Sequence, residues 1–382
     1  MKKVLLLGAS GSIGTQSLDI LEKHPTDFTL VGFSVGHRVE KIPEILARFP
    51  DVNLICVQEQ NDFEALKAKY PDRRFFFGDE GLIELMEAAQ ADMVVNALVG
   101  FAGLLPSLTA LRGDKILCLA NKESLVVGGS LIQSLLRSGH GKLYPIDSEH
   151  VAIAKLLSSV PRENIRKVLI TASGGAFRDK TRQELETVTP EDALAHPTWK
   201  MGKKITIDCA TMMNKGFEVI EAAVLFGLPL EQVEIILHRE SIIHSMLEMN
   251  DGTYLADVSS PDMHGPIEYA LMEGNVPFAP AKAESLSDYR GLHFQEFKPE
   301  RYLAPGIALR AYAMRGTALA TLNAANEAAV YAFLEGKLSF LGIDAMVEKA
   351  LDTMPYSVHA SYRDLKKADA DARAFVRRRI GG

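Results

Sequence analysis

Hydrophobic residues in the first 147 positions fall into short runs separated by stretches of helical spacing. The runs at 4–7, 28–35, 52–57, 73–77, 93–98, 115–119 and 142–146 predict six or seven buried parallel strands. Between two of them Val39, Ile42, Ile45, Leu46 and Phe49 recur at helical spacing, as expected of right-handed crossovers over the sheet. Residues 1–147 therefore read as an α/β, doubly wound, Rossmann-like domain. After Asp147 the pattern changes. Strands are predicted at 168–171, 204–207, 233–238, 242–248 and 253–258, the last two joined by the turn residues Asn250, Asp251 and Gly252. With helices over 151–157 and 217–225, residues 148–285 read as a mixed α+β domain. Asp288, Gly291 and Pro299 punctuate a stretch of little periodicity, a linker over 286–300. From 301 to 382 the Ala-, Leu- and Glu-rich chain predicts a small helical bundle.

Composition narrows the class of function. At 382 residues the chain exceeds the ~250 at which a single core stops growing. Its 47% hydrophobic and 24% charged residues suit a globular protein. A net charge of -7, without a basic run interleaved with aromatics, gives no pull toward nucleic acid and favours a small-molecule partner. Cys56, Cys118 and Cys209 are far apart and lack metal-ligand spacing, which argues against disulfides or a thiolate zinc site and for a reducing compartment. The apolar run after Met1, Lys2 and Lys3 stops at Gly8, and no stretch approaches the ~20 residues of a membrane span. The expectation is a cytoplasmic protein without a membrane partner.

Gly8, Ala9, Ser10, Gly11, Ser12, Ile13 and Gly14 join the first predicted strand to the first predicted helix, where glycines let the backbone approach a pyrophosphate. A plain tight turn uses the same residues. Gly36, His37 and Arg38 close the second strand, where an NAD site would carry a carboxylate; an Arg with a neighbouring His suits the 2′-phosphate of NADP. Simple solvation of Arg38 is the alternative. Asn121, Lys122 and Glu123 leave the strand at 115–119 by its C-terminal edge, facing either a nicotinamide or solvent.

A second set of residues suits a metal and a phosphate. Asp147 and Glu149 flank Ser148 at a spacing that puts both carboxylates on one side of an extended chain, and a divalent cation would resolve their repulsion. Ser148 or Asp147 could instead cap the next helix. Asn214 and Lys215, near the start of the helix expected at 217–225, suit an anion, and Glu218 could complete a three-carboxylate metal site; an ordinary solvated helix start is the other reading. Ser173, Gly174 and Gly175 follow a strand and offer a phosphate amides and a hydroxyl, or form a flexible turn. His196 to Gly202 holds the only tryptophan, Trp199, in a polar connection that is either a lid or a surface loop. His244 alternates with apolar neighbours, as a core histidine or one lining a site.

In order along the chain, GASGSIG, ANKESLV, PIDSEH, ITASGGAF, AHPTWKMGKKITID, ATMMNKGFEVIEA, SIIHSM, SPDM and LNAANEAAV resemble the 1-deoxy-D-xylulose 5-phosphate reductoisomerases, from residue 4 to about 335. NKES, DSEH and ATMMNKGFE carry the specificity; the glycine loop does not. The resemblance implies an NADPH-dependent rearrangement and reduction giving 2-C-methyl-D-erythritol 4-phosphate, in non-mevalonate isoprenoid precursor synthesis, by a homodimer. It implies Asp147, Glu149 and Glu218 as ligands of Mn²⁺, Mg²⁺ or Co²⁺. Ser173, Asn214, Lys215 and position 209 would grip the phosphate, Ser148 would touch substrate, His196 and His244 would line the pocket, and Trp199 would ride on the lid. Lys122 would lie between metal, substrate and nicotinamide, and with Glu149, His196 and His244 would serve catalysis. Ser10, Gly11, Ser12, Ile13, Gly14, Gly36, His37, Arg38, Asn121, Glu123 and Gly202 would contact the nucleotide.

The chain departs from the family's pattern in three places: Cys209 where a serine is usual, Arg239 after His238 where proline is expected, and the pair His37-Arg38 in a region often written with Lys or Arg and then Asn. A metal-independent NADP-dependent dehydrogenase of a sugar or semialdehyde is the competing reading. It would need the glycine loop but no carboxylate triad. If Arg38 meets a 2′-phosphate, Arg38→Asp narrows or reverses the ratio of kcat/KM with NADPH to that with NADH. Equal efficiencies with the two nucleotides in the native enzyme would remove Arg38 from that role.

Overall fold

The computed structural model describes every residue except 200, 276–284, 286, 288, 290 and 382. Two compact units emerge, neither continuous in sequence. The first comprises Met1–Asn121, Ser130–Asp147 and Met263–Pro277; the second comprises Lys122–Gly129, Ser148–Asp262 and Phe278–Gly382.

In the first unit β1 (Lys2–Leu7), α1 (Ser12–Lys23), β2 (Phe28–Ser34), α2 (Ile42–Arg48), β3 (Leu54–Val57), α3 (Gln60–Lys69), β4 (Arg74–Phe77), α4 (Gly78–Ala89), β5 (Met93–Asn96), α5 (Leu104–Arg112) and β6 (Ile116–Leu119) follow one another. The helix α6 (Lys122–Arg137) kinks at Gly128 before β7 (Lys142–Pro145). The strands form one parallel sheet in the order β4-β3-β2-β1-β5-β6-β7, in agreement with the sequence reading. Val4, Leu6, Phe33, Ile55, Met93 and Val95 are fully or almost fully buried, which is why the strands read as unbroken apolar runs. The order reverses between β1 and β5, so the loop after β1 opens at the topological switch point.

A late segment belongs to this unit. The helix His264–Leu271 adds Ile267, Ala270 and Leu271 to the core, Cys118 Sγ donates to the Ala270 carbonyl at 3.3 Å, and His24 meets Glu268 at 2.7 Å. Residues 263–275 therefore group with the first sheet, although the sequence pattern runs them on from 148–262.

The second unit contains α7 (Ser148–Ser159), β8 (Ile165–Ala172), α8 (Pro190–Leu194), α9 (Lys203–Thr211), α10 (Met213–Phe226), β9 (Val233–His238), β10 (Ile243–Met249) and β11 (Tyr254–Val258). With the helix at 264–271 counted as α11, there follow β12 (Phe294–Glu296), α12 (Leu303–Met314), α13 (Thr317–Leu334), α14 (Phe340–Thr353) and α15 (Tyr362–Ile380). Its sheet runs β11-β10-β8-β9-β12, with β8 and β9 parallel and the other pairs antiparallel. The C-terminal helices enclose their own core, where Phe340 meets Phe333 at 5.6 Å and Phe177 at 4.9 Å between ring centroids.

Three elements differ from the sequence reading. The strand expected at 204–207 is helix α9: Ile205 and Ile207 alternate like strand residues, but the buried positions Lys204, Ile207, Asp208 and Thr211 follow helical spacing. The helix expected at 217–225 begins earlier, at Met213, so Asn214 and Lys215 lie inside its first turn. The expected linker contains β12, all of whose residues are exposed, so no buried alternation announces it. Residues 286, 288 and 290 of that linker lie outside the described residues.

The loop from β1 to α1 is packed backbone against backbone. A Cβ on Gly8, whose φ is +86°, would stand 2.6 Å from the Ala97 carbonyl oxygen, and one on Gly14 would stand 2.2 Å from that of Gly8. Gly14→Ala must therefore push α1 away from the loop. Overpacking of this kind costs about 1–3 kcal/mol. Thermal unfolding is expected to shift down accordingly, and an unchanged Tm would mean that the contact is not rigid.

Candidate functional site

In the first unit the glycine loop is tied to the end of β2. Gly8 donates its amide to Ser34 Oγ at 2.9 Å, and Ser10 Oγ donates to the Val35 carbonyl at 3.0 Å. Gly11 precedes α1, and that helix has no acidic residue in its first turn. The first amides of a helix lack intrahelical acceptors, so Ser12, Ile13 and Gly14 present a positive dipole end suited to an anion. Gly36 turns the chain with a φ of +56°. His37 and Arg38, both more than half exposed, pair with Glu59 at 3.2 Å and Glu40 at 3.6 Å, respectively. Asn121 donates its amide to the Leu98 and Gly100 carbonyls, at 3.0 Å each, and so fixes the loop that leaves β5.

The second unit gathers the charged candidates around the start of α10. Met212, at a φ of +68°, breaks the chain between α9 and α10 and redirects Asn214, Lys215 and Glu218. Lys122, the first residue of α6, donates to Asn214 Oδ1 at 2.7 Å and Glu218 Oε1 at 3.1 Å. Lys215 bridges Glu149 Oε1, at 2.9 Å, and Glu218 Oε2. Burial works against the charge on Lys215, but Glu149 and Glu218 outweigh it and hold the ammonium above its usual range. Glu149 is held in place by its neighbours: Ser148 Oγ donates to its carboxylate and Ser245 Oγ to its carbonyl, at 3.1 Å. His150 Nε2 contacts the Glu218 carbonyl at 3.0 Å. Glu149 and Glu218 offer oxygens within 4.8 Å of each other, a spacing that one cation can bridge. Asp147 is the last residue before α7 and stands two positions ahead of Glu149.

A second group surrounds Ser173. Gly174 and Gly175, at φ of +80° and +66°, turn the loop after β8 against α9, where a Cβ on Gly175 would meet the Cys209 carbonyl oxygen at 2.6 Å. His196 is depressed to about 4, first by burial and then by Arg178, so it is neutral near pH 7. Its Nδ1 accepts from the amides of Thr198 at 3.2 Å and Trp199 at 2.9 Å. The proton therefore sits on Nε2, which donates to Ser173 Oγ at 3.2 Å. Ser173 Oγ also accepts from the Gly175 amide at 3.2 Å, which leaves its own hydroxyl hydrogen to donate outward. Trp199 lies half-buried with its ring 6.2 Å from that of His244, whose Nε2 reaches the Ser260 carbonyl at 3.4 Å. Gly202 caps α9; Lys200, in the same connection, lies outside the described residues.

Residues expected from sequence thus form three groups: Ser10 to Gly14 with Gly36 to Arg38; Lys122, Ser148, Glu149, Asn214, Lys215 and Glu218; and Ser173, His196, Trp199 and His244. Glu123 stands apart from its expected nucleotide contact in one respect, since its carboxylate holds the buried Lys204 at 2.8 Å. Sequence reasoning passed over Lys204, its second partner Asp208, and Asn326, which donates to Asp208 at 2.9 Å. It also passed over His150 and Ser245. The LNAANEAAV segment, which contains Asn326, was the available signal.

Three family models match in sequence: 1-deoxy-D-xylulose 5-phosphate reductoisomerase over residues 4–129, its C-terminal domain over 143–226, and a DXP reductoisomerase C-terminal domain over 258–375. Proteins named 1-deoxy-D-xylulose 5-phosphate reductoisomerase from Geobacillus sp. (strain WCH70) and Geobacillus kaustophilus (strain HTA426) are 45% and 46% identical, over 99% of each chain. The solved reductoisomerase from Zymomonas mobilis, in complex with NADPH, is 37% identical with a TM-score of 0.89 over 99% of both chains. A solved DOX-P reductoisomerase with NADPH, fosmidomycin and magnesium is 33% identical with a TM-score of 0.92, over 100% of this chain and 98% of the other.

Burial first, and then the negative charge of Glu218, push the Cys209 thiol up to about 12. Alkylation proceeds through the thiolate, so its rate at Cys209 is expected to be slow at pH 7 and to rise about tenfold per pH unit above it. Peptide mapping after iodoacetamide treatment reads this directly. Rapid modification at pH 7 would contradict a thiol held up by its surroundings.

Proposed function

The chain belongs to the 1-deoxy-D-xylulose 5-phosphate reductoisomerase family, and we propose that its own residues carry that reaction in the following roles. The activity is the NADPH-dependent conversion of 1-deoxy-D-xylulose 5-phosphate to 2-C-methyl-D-erythritol 4-phosphate, in non-mevalonate isoprenoid precursor synthesis. The observation that carries the assignment is the set of buried carboxylates and ammoniums at the start of α10.

Glu149 and Glu218, with Asp147 two positions ahead of Glu149, would hold a divalent cation: Mg²⁺, Mn²⁺ or Co²⁺. The fit rests on the oxygens that already converge on one ammonium, that of Lys215. When bound, the cation supplies Lewis-acid polarisation of the substrate's carbonyl and hydroxyl oxygens, and NADPH supplies the hydride. Lys122 adds a positive hydrogen-bond donor beside Glu218, suited to a developing negative oxygen. Ser173, oriented by the neutral His196, donates its hydroxyl to the phosphate, and Asn214 and Lys215 add an amide and an ammonium. Trp199 and His244 cover the carbon skeleton and exclude water. Ser10 to Gly14 take the pyrophosphate, and Arg38 with His37 the 2′-phosphate.

Among the described residues no helix is long and apolar enough to cross a membrane. A cytoplasmic setting fits the buried free thiols of Cys56 and Cys118. A homodimer is supported by β11, which lies at an edge of its sheet among the described residues and exposes Tyr254 and Val258.

The test is NADPH oxidation with 1-deoxy-D-xylulose 5-phosphate, with and without Mg²⁺ or Mn²⁺. Turnover is expected only with metal. Glu218→Gln is expected to lower kcat on the order of a hundredfold while NADPH still binds. Metal-independent turnover, or near-native activity in that variant, would favour a simple NADP-dependent dehydrogenase instead.

A further inference from the structure

Three buried polar groups, Lys204, Asp208 and Asn326, have no place in the roles above, and a fourth, Glu123, is tied to them. Lys204 lies in the first turn of α9, two residues after the cap that ends the 196–202 connection. Its ammonium sits 2.8 Å from Glu123 Oε1 and 2.8 Å from Asp208 Oδ2, and 5.4 Å over the ring of Phe217 in α10. Asp208 receives a further hydrogen bond from Asn326 in α13. Lys204 is 7% exposed, Glu123 7%, Asp208 2% and Asn326 0%, so the cluster is dry. Burial opposes the charge on Lys204, yet Asp208 and Glu123 outweigh it and hold the ammonium above its ordinary range. One cation here serves two carboxylates on two different helices.

The geometry points to Lys204 as a positioning residue for Lys122. Glu123 is bonded through the peptide chain to Lys122, and Lys122 reaches Asn214 and Glu218. Fixing the Glu123 carboxylate fixes the first turn of α6, and with it the direction of the Lys122 side chain. Because Lys204 follows directly on the connection that carries His196 and Trp199, the same ammonium also ties the end of that connection to the start of α6. A long, flexible lysine such as Lys122 gains most from this anchoring, since misplacement by about 1 Å can cost on the order of a hundredfold in rate. The assignment rests on the catalytic role proposed for Lys122.

The experiment compares Lys204→Met, Glu123→Gln and the double variant in the metal-loaded, full-length enzyme. Each is assayed for kcat, for the KM of the sugar phosphate and for NADPH affinity by fluorescence. Lys204→Met is expected to lower kcat on the order of tenfold or more, with KM and NADPH affinity changed less than about threefold. Glu123→Gln should show the same split on a smaller scale, and the double variant should lose no more than Lys204→Met alone. Should Lys204→Met fail to fold, Glu123→Gln decides, because it keeps both the size of the side chain and an acceptor for Lys204. Native kcat in folded Glu123→Gln, or losses that multiply in the double variant, would overturn the inference. An unmodified enzyme that fails to consume NADPH with this substrate would instead overturn the proposed function.

Discussion

Glu218 is 1% exposed in the second turn of α10, and a carboxylate this deep must be surrounded by donors. Lys122, Asn214 and Lys215 provide them from two helices. Much of the second unit follows from satisfying this one charge. The left-handed residue Met212 separates α9 from α10 so that the first turn of α10 can present both its amide and its ammonium. The first half of α6, Lys122–Gly129, groups with this unit, although the half after the kink groups with the parallel sheet. Serines on two elements, Ser148 and Ser245, hold Glu149 so that Lys215 has a second acceptor. Removing one partner from such a buried set typically costs about 3–5 kcal/mol, which binds the fold and the site to the same residues.

The balance of charge in this cluster bears on the order of ligand binding. Glu149 and Glu218 are matched in charge by Lys122 and Lys215, and Asp147, proposed as the third ligand, adds a further negative charge. A divalent cation alone, held as proposed, would turn the net charge slightly positive, and a phosphate dianion alone would make it strongly negative. Together they would bring the net charge back to where it began, and would so couple metal and substrate affinity at the proposed site. Such coupling would give the lysines a use in both states: they stand against the carboxylates in the structure described above and would turn to an anion if a metal took their place.

Hydrophobic pattern made the parallel sheet legible because both of its faces are covered, so strand and apolar run coincide. The same rule failed at α9, where Lys204, Asp208 and Thr211 occupy the buried helical positions that a search for apolar residues passes over, and the β-branched Ile205 and Ile207 imitate a strand. It failed at β12 for the opposite reason: a short, exposed edge strand has no apolar face to reveal it. Candidate site residues were legible where a charge or an amide stands next to a strand end or helix start, as at Asp147 to Glu149 and at Asn214 to Glu218. Lys204 was not legible, because nothing local distinguishes a buried lysine from a solvated one. Its partners lie 81 positions away, at Glu123, and one helical turn on, at Asp208.

The turn at 196–199 shows how far a single protonation state can organise a site. Neutral His196 can accept two amide hydrogens on Nδ1 and still donate from Nε2 to Ser173; a protonated imidazole has donors on both nitrogens and would face the Thr198 and Trp199 amides with a hydrogen of its own. Burial and Arg178 depress His196 from 6.5 to about 4, so the neutral form is the one the fold selects. Between those two values the unfolded chain takes up a proton that the folded chain refuses. Stability from this turn is therefore complete above about pH 6.5 and declines as pH falls toward 4. Loss of the turn would release Trp199 from His244 and leave Ser173 without the donor that orients its hydroxyl, so the phosphate grip and the cover proposed for these residues would weaken together on the acid side.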